Sequence, residues 1–247
     1  MDIARFFELQ SVVVRAVNEG QIKARVLTEL RALKRISKRS IIANEFALSK
    51  SLVRADLAIL ESKFIGIEVK SEKDTLRRLP SQIASYLRHF DWVILVVASK
   101  HAYKVIELNL LFVELWVMHA DGSIEIIQTP KSASPQAGIC IGRLLTQADQ
   151  KRYIGCEGNY HTNNQDYFDI NKSNAHAAFI NVFSSRFGKT SKEFWDAVRY
   201  RQIKSDDLAK LSRFQSSREQ FARVKEEQDH MWRMWAEQFH SSTLSTI

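Results

Sequence analysis

Two cysteines and three prolines are all that 247 residues contain of either type, and no apolar run approaches the roughly 18 residues that a membrane span needs. Cys140 and Cys156 lie sixteen positions apart, with no C-x-x-C pair and no histidine nearby at zinc spacing. Neither a zinc site nor a disulfide framework is therefore indicated, and a reducing, cytoplasmic setting fits best. The first twenty residues carry Asp2 and Glu8 and lack a basic stretch followed by a continuous apolar one, so they do not read as a secretory signal. No internal repeat is visible, and there is no P-loop, G-x-G-x-x-G, H-E-x-x-H or G-x-S-x-G. Nucleotide-binding and serine-hydrolase readings thus lack direct support.

What is present is apolar material at 45% and an excess of positive charge, 36 Lys and Arg against 28 Asp and Glu, giving +8. The composition suits a soluble globular protein with a polyanionic partner, nucleic acid and DNA first among them, and no membrane partner. The excess concentrates between Gln21 and Ser40, where Lys23, Arg25, Arg31, Lys34, Arg35, Lys38 and Arg39 face one acid, Glu29. Apolar Val26, Leu27, Leu30, Leu33 and Ile36 recur there at three- and four-residue spacing, which predicts an amphipathic helix over 24–36.

From Leu52 the pattern changes to two β-type runs, LVRADLAIL and FIGIEVK, joined by Glu61, Ser62 and Lys63 as a hairpin. A helix follows, beginning near Leu79 because Pro80 suits a first turn, and Asp74 is expected to cap a helix start. WVILVVAS reads as a strand covered on both faces. A short helix from about His101, a strand at LFVELWVMH, an Asp121-Gly122 turn and a strand SIEIIQ complete the series. The fold class is α/β, a mixed central sheet flanked by helices. A Pro-containing stretch after Thr129 separates a first region, 1–130, from a mostly helical one, 131–247. In the latter, the aromatic stripe from Phe221 to Phe239 suits core or intersubunit packing, or a protein-partner surface. His89, His101 and His119 fall at element ends, where a surface or capping role is the default.

Charged residues inside the hairpin need an explanation, because an unpaired buried charge costs several kcal/mol, roughly. Glu68 and Lys70 are two apart and project on one strand face, and a hairpin that brings Asp56 near Glu68 sets two carboxylates together. Such a pair repels unless a cation sits between them, and a divalent metal supplies one, with Lys70 at the edge of the site.

RADLAIL followed by IGIEVKS resembles the PD-(D/E)XK signature of the restriction-endonuclease-like nuclease superfamily, with Asp56 as the first acid and Glu68-Val69-Lys70 as E-x-K. Ala55 stands where that signature has its proline. Gln82 and Tyr86 match the Q-x-x-x-Y element of its exonuclease-like branches and share one helix face. Glu45 is similar to a helix glutamate that completes the metal site. The string from IEVKSEKDTLRRLPSQ to WVILVVASKH looks like a bacterial and phage group within that superfamily, so that the likeness covers roughly residues 40–128.

The resemblance implies a restriction-endonuclease-like core and a metal-dependent deoxyribonuclease using Mg²⁺ or Mn²⁺. Asp56, Glu68, the Val69 carbonyl and Glu45 would hold the metal, and Lys70 and Gln82 would act on the attacking water or the phosphate. Arg54 would contact a phosphate or pair with Glu45, Tyr86 would pack beneath Gln82 or contact the backbone, and Arg77 and Arg78, with the basic helix carrying Lys34, Arg35, Lys38 and Arg39, would contact the substrate backbone. The alternative is a catalytically silent member of the same fold that binds nucleic acid or a protein partner as a phage or defence modulator. A homo-oligomer or protein complex formed through the C-terminal helices is compatible with either reading.

Overall fold

Asn18 and Gln21 open the first helix: each side chain accepts from the other's backbone N–H at 2.9 Å, a reciprocal capping box. In the computed structural model, which describes residues 17–48, 53–154, 172–212 and the isolated Met231, this helix (α1) spans Glu19–Ala32. It ends four residues earlier than its apolar spacing predicts. Lys34 adopts a left-handed conformation (φ 58°), and the N–H groups of Lys34 and Arg35 bond back to the carbonyls of Arg31 and Leu30 at 3.1 and 2.9 Å. This is a Schellman stop. The basic residues 34–39 therefore form a cap and turn rather than a helix face.

The sheet has six strands in sequence order: β1 (Ile41–Ala47), β2 (Arg54–Leu60), β3 (Phe64–Lys70), β4 (Trp92–Ala98), β5 (Glu114–Met118) and β6 (Ile124–Gln128). The first three are antiparallel, β3, β4 and β5 run parallel, and β6 returns antiparallel. The hairpin from β2 to β3 and the covered central strand β4 follow the alternation and the Val/Ile run. Strand β1 has no counterpart in the sequence reading, because Asn44 and Glu45 interrupt any apolar period. Helix α2 (Leu79–His89) begins where Pro80 indicated and connects β3 to β4, and α3 (Ser99–Glu107) connects β4 to β5. Asp74 caps no helix; its carboxylate accepts from the N–H of Ser71 at 2.8 Å and closes a turn ahead of α2.

After β6 come a 3₁₀ turn (Ile141–Leu144), α4 (Gln147–Ile154), the long α5 (Lys172–Ala197) and a second 3₁₀ segment (Ser205–Leu211). This later part packs on the sheet. Phe179, Phe183 and Phe187 of α5 join Phe64, Tyr86 and Phe90 on one face. Phe194, Trp195 and Leu208 join Leu27, Ile67 and Trp116 on the other. The aromatics of α5 are thus core residues of both layers. Gly66 has a local reason: a Cβ there would sit 2.3 Å from the Phe90 ring, so β3 and α2 pack more closely than any side chain permits. Among the described residues no helix is long and apolar enough to cross a membrane. The stripe from Phe221 to Phe239 lies outside the described residues except for Met231, which is exposed.

Candidate functional site

Every residue of β3 is buried, Glu68 and Lys70 included, at 2% and 7% exposure. Glu68 faces α2 and is held by three donors. Lys70 Nζ lies 2.5 Å and Gln82 Nε2 2.6 Å from Oε1, and the Tyr86 hydroxyl donates to Oε2. Gln82 and Tyr86 converge on one carboxylate because they lie four apart on α2. Burial first, and then the Glu68 charge, hold the Tyr86 hydroxyl well above its ordinary value, so it stays a neutral donor. The other amide atom of Gln82, Oε1, is buried without a hydrogen-bond partner among the described residues.

Asp56 extends the hairpin register one step beyond the Leu57 and Ile67 pair, which aligns it with Glu68. Its Oδ2 accepts from the Val69 N–H at 2.7 Å, and Oδ1 lies 3.6 Å from Lys23 Nζ. Burial, and next the neighbouring Glu68 charge, push Asp56 up to about 7, against the opposing pull of Lys23 and the Val69 N–H.

Glu45 belongs to strand β1, across from β2, and not to the end of a helix as its family likeness implied. It sits at φ 59°, a left-handed conformation costing a non-glycine residue about 1–3 kcal/mol. Its carboxylate binds Arg54 Nε at 2.6 Å and also pairs with Lys23. The helix glutamate that reaches this cluster is Glu19, 2.5 Å from Lys23 Nζ. One carboxylate oxygen from each of Glu19, Glu45 and Asp56 lies within 4.8 Å of the others.

Glu19 and Lys23 were absent from the sequence-derived site. Their i, i+4 spacing at a helix start was visible, but it is also the commonest surface pair on a helix. Lys23 is nevertheless 3% exposed. Burial lowers its proton affinity, yet Asp56, Glu19 and Glu45 outweigh this and leave the ammonium above its ordinary value.

The other expected contacts divide. Arg77 and Arg78 are exposed at the start of α2, one turn from Gln82, and make no ion pair among the described residues. Arg54 lies at the site but is paired with Glu45. Lys34, Arg35, Lys38 and Arg39 do not reach it: they follow the far end of α1, whose 14 residues span about 20 Å. Arg35 is engaged there by Glu114, through contacts of 2.6 and 2.9 Å. His89 and His101 are buried rather than superficial, bonded to the carbonyls of Ser85 at 2.8 Å and Ser71 at 3.1 Å, with burial lowering His89.

The donor set suits a hard divalent cation: clustered carboxylate oxygens, an Asp56 carboxyl whose proton affinity is raised by burial and then by the Glu68 charge, and a buried Gln82 acceptor with no partner among the described residues. Fold and site together define an α/β protein whose mixed sheet carries a partly buried acid and amine cluster beside the β2–β3 hairpin. Residues 13–212 match the family of bacteriophage P4 protein cII, and the chain belongs to that family. It is 26% identical over 208 residues to protein cII of Enterobacteria phage P4, covering 80% of this chain and 78% of that one. A solved protein of unknown function from Silicibacter pomeroyi shares 22% identity, with a TM-score of 0.34 over 58% of this chain and 98% of its own.

Proposed function

We propose that the chain is a metal-dependent nuclease with a restriction-endonuclease-like core, hydrolysing phosphodiester bonds in DNA. The observation that carries this is the convergence of Asp56, Glu68, Lys70, Gln82 and Tyr86 around one buried carboxylate pair, from two adjacent strands and one helix. Asp56, Glu68, the Val69 carbonyl, Glu45 and Glu19 are the residues that would hold Mg²⁺ or Mn²⁺. When bound, such an ion lowers the pKa of a coordinated water and polarises the phosphate. Lys70, held against Glu68, stabilises charge building on the phosphoryl oxygens. The free Oε1 of Gln82 accepts a hydrogen bond from the attacking water and orients it. Tyr86 donates to Glu68 and fixes it in place. Arg77 and Arg78 draw the substrate backbone to the mouth of the site.

One observation favours a second reading, a silent nuclease-fold module that binds nucleic acid or a protein. The Lys23 ammonium stands between Glu19, Glu45 and Asp56 and already supplies part of the charge that a metal would bring. The two readings separate when the purified chain is incubated with linear and circular DNA, single-stranded DNA and RNA, in Mg²⁺, Mn²⁺ or EDTA, beside Lys70→Ala. The expected result is DNA products that require metal and vanish in the variant. Intact substrates under every condition would overturn the nuclease reading and leave the binding module.

A further inference from the structure

We propose that the end of the molecule opposite the carboxylate cluster is a second nucleic-acid contact, a basic pocket with an aromatic platform that takes a single-stranded segment. The turn after α1 and the C-terminal end of α5 enclose a cavity of about 430 Å³. Lys38 and Arg39 line it from the turn, and Lys192 and Arg199 from α5 and the turn that follows it. All four are exposed, and none makes an ion pair among the described residues. One carboxylate, Asp196, shares the wall with these four cations. The two lysines of the carboxylate cluster, Lys23 and Lys70, are by contrast each neutralised by a close carboxylate. Unpaired like charges repel one another in the free protein, and a polyanion relieves that repulsion.

The pocket is preformed. Arg31 Nη1 and Nη2 donate to the carbonyls of Val198 and Arg201 at 3.0 and 2.8 Å, tying α1 to the turn after α5. The Trp195 indole donates to the Ser40 carbonyl at 2.8 Å and ties α5 to the turn carrying Lys38 and Arg39. Two of the four cations are arginines, whose planar forks match phosphate oxygens.

The single-stranded form follows from Tyr200. It is 90% exposed, unusual for an aromatic residue, and the Arg199 guanidinium lies 5.5 Å from its ring centroid. An exposed ring beside a cationic track offers a face to an unstacked base, which a duplex cannot present. Lys189, exposed and one turn before Lys192, lengthens the track along the same helix face. About the length of α1 separates this pocket from the carboxylate cluster, so the inference stands whether or not that cluster cleaves anything.

The test is fluorescence anisotropy of a labelled oligothymidylate in EDTA, using the full chain. Replacing Lys38, Arg39, Lys192 and Arg199 together by Ala should weaken binding at low salt about tenfold or more and reduce the log–log salt slope by roughly 0.7 per cation lost. Thermal melts confirm that the surface variant stays folded. Tyr200→Ala, which keeps every charge, should weaken single-strand binding about fivefold and leave duplex binding unchanged. Unchanged affinity and slope in the fourfold variant would overturn the proposal, as would inorganic phosphate competing as well as the oligonucleotide, or equal losses for single strand and duplex in Tyr200→Ala. Binding lost in the fourfold variant of a protein that cleaves nothing would sink the nuclease reading and leave this site standing.

Discussion

Glu68 and Glu114 are both buried, at 2% and 1% exposure, both on strands of one sheet, and they are treated in opposite ways. Glu114 receives both arms of the Arg35 guanidinium, at 2.6 and 2.9 Å, and the indoles of Trp92 and Trp116 at 2.6 and 2.7 Å. One charge meets one charge, and four donors serve two oxygens. Glu68 also has a cation, Lys70, but Asp56 stands beside it with Glu45 and Glu19 beyond, against Lys23 and Arg54. Asp56, by burial first and then by the Glu68 charge, is pushed up to about 7, and a Gln82 oxygen has no partner among the described residues. Burial of an acid is therefore no sign of function; a surplus of acid over base with an acceptor left open is.

If that contrast is real, the largest effect belongs to Lys70→Ala. It should reduce cleavage by about 10²–10³-fold or more through loss of a preorganised charge, while affinity for DNA in EDTA stays near wild type. Cleavage within about tenfold of wild type would put Lys70 on the structural side of the comparison.

Next comes Glu114→Ala, which strands Arg35 and two indoles. Arg35 is 28% exposed, so solvent recovers part of the loss and about 3 kcal/mol remains, or roughly 6–12 °C in thermal unfolding. Cleavage by the protein that remains folded should be unchanged. A smaller loss of stability than for Glu68→Gln would invert the assignment of the two glutamates.

Asp56→Asn sharpens the contrast through pH. Asp56 holds its proton more tightly in the folded chain than at its ordinary 3.8, so its contribution to stability falls as pH rises from about 4 to about 7. Burial drives this effect most, the Glu68 charge next and Glu19 least, while Lys23 and the Val69 N–H oppose it. The asparagine variant escapes it and can still accept from the Val69 N–H. It should gain about 1–2 kcal/mol over wild type at pH 8 and little at pH 4, read from urea melts. An equal difference at both values would mean that Asp56 keeps its ordinary proton affinity in the folded chain.

The sequence exposed one side of this comparison and hid the other. E-x-K on a β-type run, with Gln82 and Tyr86 four apart downstream, was legible because the partners lie on consecutive elements whose periods fix their faces. Strand β1 was not, since Glu45 takes a left-handed turn in mid-strand and breaks the alternation. That hid the approach of α1, and with it Glu19 and Lys23. Lys34 to Arg39 misled for a related reason: an apolar period does not announce a left-handed stop, and a basic run does not say which end of the sheet it faces. Arg35 and Glu114, 79 residues apart, pair only once α1 lies across the sheet.

The smallest effect is the most discriminating. Tyr86→Phe removes one of three donors to Glu68 and nothing from the aromatic packing, where the ring stands 5.3 Å from Phe90. A hydrogen bond to an ionised group contributes about 1.5 kcal/mol, with Lys70 and Gln82 still in place to soften the loss. Melting should drop by roughly 3–6 °C in EDTA. If Glu68 belongs to a metal site, a bound cation supplies what the hydroxyl gave, and Mg²⁺ or Mn²⁺ should shrink the deficit. A deficit of the same size with and without metal would mean that no cation reaches Glu68. It would then be a structural acid like Glu114, closed by its own side-chain partners, and the contrast between the two would collapse.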